Sequence, residues 1–102
     1  MKFIRIANHT EEFYKARPEN FKEKLEEHKR WMEGQKKAGK LLAAYLLAGN
    51  AEGDRTITIW EFDTPEEIDK CIWDDPIGFT FSWEVYPAVD VFGHIDNVLP
   101  HL

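Results

Sequence analysis

The chain predicts an α+β fold, a ferredoxin-like βαββαβ sandwich in which two helices cover one face of an antiparallel sheet. Three observations carry this expectation. Thr56 to Phe62 alternates, with Ile57 and Ile59 on one face and Thr58, Trp60 and Phe62 on the other, as a strand with two distinct sides does. Pro18 to Ala38 carries apolar residues at helical spacing and stops at Gly39. Thr64-Pro65-Glu66-Glu67 is a helix start, with Thr as cap, Pro at the first position and Glu three residues after the cap.

The elements follow in order. Lys2 to Ala7, rich in Ile and Phe, predicts a first strand, and Asn8-His9-Thr10 is read as its end. A short helical region fits Thr10-Glu11-Glu12 with Phe13 and Tyr14, and Pro18 marks a fresh helix start. In the main helix, acidic residues gather in the first half and lysines in the last turn, as the helix dipole prefers. Leu41 to Ala48 is apolar at every position and bracketed by Gly39 and Gly49, which predicts a second strand covered on both faces. Asn50 to Asp54 reads as a turn. The second helix turns Ile68, Cys71 and Ile72 inward, with Asp75 as its last residue before Pro76. Glu84 to Phe92 is expected to be the last strand, with Pro87 implying a bulge or an edge. Gly93 to Leu102 is read as a tail that packs elsewhere, because Val98 and Leu99 do not suit a free terminus.

The 102 residues predict a single domain spanning 1–102. A net charge of −6 argues against a nucleic-acid partner, and Lys36-Lys37 with Lys40 reads as a solvated helix end. The single cysteine, Cys71, excludes an internal disulfide. No stretch nears the ~20 apolar residues that span a bilayer, so no membrane partner is expected. Met1 to Ala7 lacks an apolar leader core, and the expected compartment is the cytoplasm. A sheet with helices on one face, carrying a strand apolar on both sides, needs a second layer. The expected layer is a second copy, giving a face-to-face homodimer with room for a higher assembly of dimers.

His28 is the residue that departs from pattern. The series Phe21, Leu25, His28, Met32 keeps one helix face toward the core, and an imidazole stands where a Leu is expected. It is either a satisfied core histidine or the wall of a pocket. Tyr45, Trp60 and Phe79 are candidates to line an apolar ligand pocket between helices and sheet, against ordinary core packing. Asn8 is a candidate to position a ligand carbonyl, against a turn role. Cys71 reads as a small core residue and Asp74 as exposed. His9, His94 and His101 show no metal-ligand spacing, so no metal is expected.

From about Pro18 to Ile95 the chain resembles the dimeric α/β-barrel superfamily, and within it the muconolactone isomerase-like proteins. The likeness rests on Lys37-Ala38-Gly39-Lys40, on Leu47-Ala48-Gly49, on the alternating strand before Thr64-Pro65-Glu66-Glu67, and on Asp75-Pro76-Ile77 followed by Trp83-Glu84-Val85-Tyr86-Pro87. It is also similar to the YciI-like proteins, which carry a helix-1 histidine before a Gly-Lys/Arg-Leu-Leu stretch and an aspartate directly before a proline. His28 precedes Gly39-Lys40-Leu41-Leu42 here, and Asp75 precedes Pro76. That resemblance implies a catalytic pair, His28 as base and Asp75 orienting it. At His28 the chain follows the YciI-like pattern, since the isomerase pattern has an acidic residue near there. A third relative is the antibiotic-biosynthesis monooxygenase group, including haem degraders. Asn8 and Trp60 fit its pattern loosely, and the histidine expected after the second helix is missing from Thr80-Phe81-Ser82-Trp83.

These readings lead to a small-molecule enzyme resembling muconolactone isomerase, moving a proton without a cofactor on a lactone or related small organic acid. The alternatives are a YciI-like or non-catalytic ligand-binding dimer, and a monooxygenase of the antibiotic-biosynthesis or haem-degrading type.

Overall fold

The computed structural model describes residues 1–10, 21–47 and 55–102, except the side chain of Phe79. Four antiparallel strands, β1 (Lys2–His9), β2 (Leu41–Leu47), β3 (Arg55–Glu61) and β4 (Phe81–Ala88), form one sheet in the order β2-β3-β1-β4. Helices α1 (Phe21–Lys37) and α2 (Pro65–Trp73) join the strands, and α3 (Val91–Val98) follows β4. This is the ferredoxin-like α+β arrangement.

The local signals act as physical chemistry requires. Thr64 accepts a hydrogen bond from the Glu67 N–H at 3.3 Å and caps α2, with Pro65 in its first turn. Gly39 closes α1 at φ +76°, a left-handed conformation in which a Cβ is strained. Thr58 and Trp60 of β3, with Phe62 just past its end, turn to the helices and are buried, while Ile57 and Ile59 on the opposite face are half-buried. The core joins Phe3 of β1, Leu41 of β2, Trp60 and Phe62 to Ile68 and Ile72 of α2. Each such side chain contributes about 1.5–3 kcal/mol on full burial. Trp31 and Met32 of α1, and Cys71, pack against it.

Several expectations are corrected. Asn8 and His9 do not end β1 in a turn. They stay in the strand, Asn8 paired with Arg55 and Ser82 and His9 with Phe81, because both neighbouring strands continue alongside. The last strand starts earlier, at Phe81, and stops at Ala88. Val91 and Phe92 are helical because Asp90 caps α3, its carboxylate accepting from the Gly93 N–H at 3.1 Å. The expected tail is thus α3 followed by a 3-10 turn at Leu99–His101. Pro87 lies on an edge strand, where its missing N–H costs no ladder bond. Helix α2 ends at Trp73 rather than Asp75. The N–H groups of Asp74 and Asp75 bond the carbonyls of Cys71 and Ile72, both at 3.1 Å, and tighten its exit. The expected starts of the helices at Thr10 to Tyr14 and at Pro18, and the turn at 50–54, lie outside the described residues.

Strand β2 is not covered on both faces within the chain. It is an edge strand, and of its side chains only Leu41 is buried, with Tyr45 63% and Leu46 55% exposed. Helix α3 likewise leaves Phe92 72% exposed. The radius of gyration, 16.1 Å, exceeds the ~13 Å of a compact chain of this length.

Candidate functional site

The site is built from the exit of α2, the middle of α1 and the centre of β1. Pro76 follows Asp75 and fixes the local backbone. Asp75 Oδ1 accepts the Ile77 N–H at 3.1 Å, and the Gly78 N–H bonds the Asp75 carbonyl at 3.1 Å. Downstream, Thr80 donates its hydroxyl to the Ile77 carbonyl at 2.7 Å, and Thr10 donates both its N–H and its hydroxyl to the Thr80 carbonyl. These bonds hold the Asp75 carboxylate in one place, with its side chain wholly buried.

His28 reaches the same carboxylate from α1. Its Nδ1 lies 2.7 Å from Asp75 Oδ1. The carboxylate can only accept, so Nδ1 carries the hydrogen and Nε2 is left as the basic nitrogen of the neutral ring. The ring also stacks on Trp31, three residues along the helix, at 6.1 Å, and tilts against Phe81 at 6.2 Å. The α1 face is less buried than its spacing predicts. Leu25 is 43% exposed, and inward contact is made by His28, Trp31 and Met32. Helix α1 stands off the sheet here and leaves a cavity of about 200 Å³. His28, Trp31, Trp60, Thr58 and Phe81 line it, with Ala44, Tyr45 and Leu46 along its β2 rim. A wider, more open groove of about 660 Å³ runs between α1 and β2 and shares His28, Met32 and Ala44. The smaller cavity is the one that also meets the sheet's polar groups.

Of the residues singled out in the sequence, His28 and Asp75 are in contact, and Tyr45 and Trp60 share the His28 cavity. Trp60 is fully buried and donates its indole N–H to Thr58 Oγ1 at 2.7 Å. Asn8 is not among the cavity's lining residues. Strand alternation puts it with Ile4 and Ile6 on the face away from the helices. Phe79 lies in the 3-10 turn at Gly78–Thr80, and its side chain is outside the described residues. The Cys71 thiol is pushed up to about 11, by burial first and by nearby Asp74 second, which leaves it a protonated neighbour of the core at neutral pH.

Arg5 is the site residue that sequence reasoning missed. It occupies the centre of β1, in register with Thr58 and Val85, and its side chain is 4% exposed. Its Nη1 lies 3.6 Å from Asp75 Oδ2, an ion pair too long for a hydrogen bond. Its Cζ sits 5.2 Å from the centre of the Trp83 ring. Burial draws the guanidinium below its ordinary pKa, and Asp75 opposes that shift. The available signal was alternation. Phe3 and Ala7 are the inward residues of β1, and the position between them carries a charge. No group of three or more His, Cys, Asp or Glu among the described residues could hold a metal ion. No helix among them is long and apolar enough to cross a membrane.

No protein-family model matches this chain, and no curated protein matches it. Solved structures do. One is 5-chloro-2-hydroxyhydroquinone dehydrochlorinase (TftG) from Burkholderia phenoliruptrix AC1100, in complex with 2,5-dihydroxybenzoquinone. It is 18% identical, with a TM-score of 0.58 over 87% of this chain and 94% of that one. The two proteins share a fold. At this identity the likeness carries no chemistry by itself.

Proposed function

We propose that the protein is a small-molecule enzyme of the muconolactone isomerase-like kind within the dimeric α/β-barrel superfamily. In this reading it moves a proton without a cofactor on a lactone or related small organic acid. The observation that carries the proposal is the 2.7 Å contact between His28 Nδ1 and an Asp75 carboxylate already fixed by the Ile77 N–H, at the wall of an aromatic-lined cavity. Asp75 sets the tautomer, and His28 Nε2 takes a proton from a carbon next to a carbonyl and returns it to another carbon. Trp31, Trp60 and Phe81 keep the site apolar and suit a flat substrate.

The shared fold with a dehydrochlorinase favours a second reading of the same dyad. Loss of HCl from a ring also begins with withdrawal of a proton, so His28 would serve in either case. The test is turnover by wild type, His28→Gln and Asp75→Asn on a panel of muconolactones and chlorinated hydroquinones, with solvent deuterium exchange into each. Exchange lost in His28→Gln and reduced in Asp75→Asn, with folding intact, is expected. A wild type that neither turns over nor exchanges any of the panel defeats the proposal.

We also propose that two copies associate, covering the sheet face of Ile57 and Ile59 and the exposed apolar residues of β2 and α3. Light scattering coupled to size exclusion should give twice the chain mass. A monomer across the micromolar range overturns this.

A further inference from the structure

The Arg5 guanidinium is buried and under-used. Nη1 is taken by a long ion pair with Asp75, while Nε and Nη2, both shielded from solvent, have no hydrogen-bond partner among the described residues. Arg5 lines the same cavity as His28. A planar fork of unpaired N–H donors beside a cavity is suited to an oxyanion, which accepts from two of them at once. The other walls include Trp31, Trp60 and Phe81, with Thr56 and Thr58 on the sheet and Ala44 to Leu46 along the rim.

We propose that Arg5 is the anion-binding residue of this cavity, and that the ligand is a small planar molecule bearing an oxyanion, whether carboxylate, phenolate or enolate. Asp75 then has two roles. One oxygen orients His28, and the other holds Arg5 by a single nitrogen, leaving Nε and Nη2 unpaired, for a ligand oxygen to reach by a small turn of the guanidinium toward the cavity. The inference deepens the proton-transfer reading and rests on it for chemistry only. In that chemistry a C–H bond breaks and its proton passes to His28 Nε2. The electron pair forms a C=C bond, and the charge settles on the carbonyl oxygen facing Arg5. Return of the proton from Nε2 to a different carbon restores both the carbonyl and the neutral imidazole. No oxidant or reductant enters.

Binding alone tests the anion site. Benzoate and benzamide have one shape and differ in charge. Calorimetric titration of each into the full chain at neutral pH should show benzoate binding at least about tenfold more tightly, the ratio that one charge-assisted hydrogen bond supplies. The preference should vanish in Arg5→Met and fall in Arg5→Lys, whose point charge cannot offer a fork. Circular dichroism monitors folding. If Arg5→Met unfolds, the wild-type ratio and its fall in Arg5→Lys decide. A wild type that binds benzoate no more tightly than benzamide, or binds neither at millimolar concentration, overturns the proposal, as does a preference unchanged in Arg5→Lys. A preference dependent on Arg5 in a protein without proton exchange sustains the anion site while the enzymatic reading falls. Exchange without the preference does the reverse.

Discussion

Asp75→Asn isolates one charge at the most connected point of the structure. The asparagine oxygen can take the place of Oδ1 and still accept from both His28 Nδ1 and the Ile77 N–H, now 2.7 and 3.1 Å from the carboxylate. Its NH2 group then faces Arg5 Nη1, which stands 3.6 Å from Oδ2 in the native protein, and two donors meet. The main loss is therefore the counter-charge of a guanidinium that is 4% exposed. Removing one partner of a buried ion pair costs about 3–5 kcal/mol, a large part of the roughly 5–15 kcal/mol that stabilises a typical domain. With a urea m-value of about 1.5 kcal/mol/M, the unfolding midpoint should fall by about 2–3 M. The double variant Arg5→Met/Asp75→Asn removes the orphaned charge along with its partner and should be more stable than Asp75→Asn alone. Urea melts followed by tryptophan fluorescence measure all four corners of this cycle. A loss below about 1 kcal/mol in Asp75→Asn, or a double variant that simply adds the two single losses, refutes the coupling of Arg5 to Asp75.

Thr58→Val should cost about 1–3 kcal/mol, because it leaves the fully buried indole N–H of Trp60 without its acceptor, and a thermal melt checks it. Gly39→Ala should cost about 1–2 kcal/mol in urea unfolding from φ +76° alone, since no neighbour stands within 4 Å of the added Cβ. The folded Cys71 thiol titrates about 11, above its ordinary value of 9.0, so between those values the unfolded chain releases the proton more readily. Stability should therefore decline as pH rises above about 9, and Cys71→Ala should flatten that decline in urea melts at successive pH values.

Elements with a local cause were legible in the sequence. The α2 start is set by the Thr64 hydroxyl and Pro65, and the β3 faces by the alternation of Thr58, Trp60 and Phe62 with Ile57 and Ile59. Boundaries decided by partners were less so. Asn8 and His9 have turn-forming character, yet they pair with β3 and β4 because those strands continue beside them. Val91 and Phe92 suit a strand by propensity, and the cap of Asp90 draws them into a helix. In the site, His28 stood out because it broke a helical stripe. Arg5 broke a strand alternation in the same way, but a strand of eight residues offers few inward positions from which to recognise the break.

The three site residues are far apart in sequence, and the topology makes their meeting a matter of register. Strand β1 is central in the sheet, so its inward face lies beneath both the α1 residue His28 and the exit of α2. A slip of one residue in β1 would send Arg5 to the opposite face and bring Ile4 or Ile6 inward, where neither could pair with Asp75. Conversely, Arg5 in its observed register, without the α2 exit, would be an unpaired charge in the core. The bond from Ile77 to Asp75 Oδ1 and the ion pair from Oδ2 to Arg5 thus tie the loop after α2 to the centre of the sheet. His28 joins this frame from outside, through the helix that stands off the sheet. The frame is held by Arg5 and Asp75, and the imidazole adds a third contact to it from the cavity side.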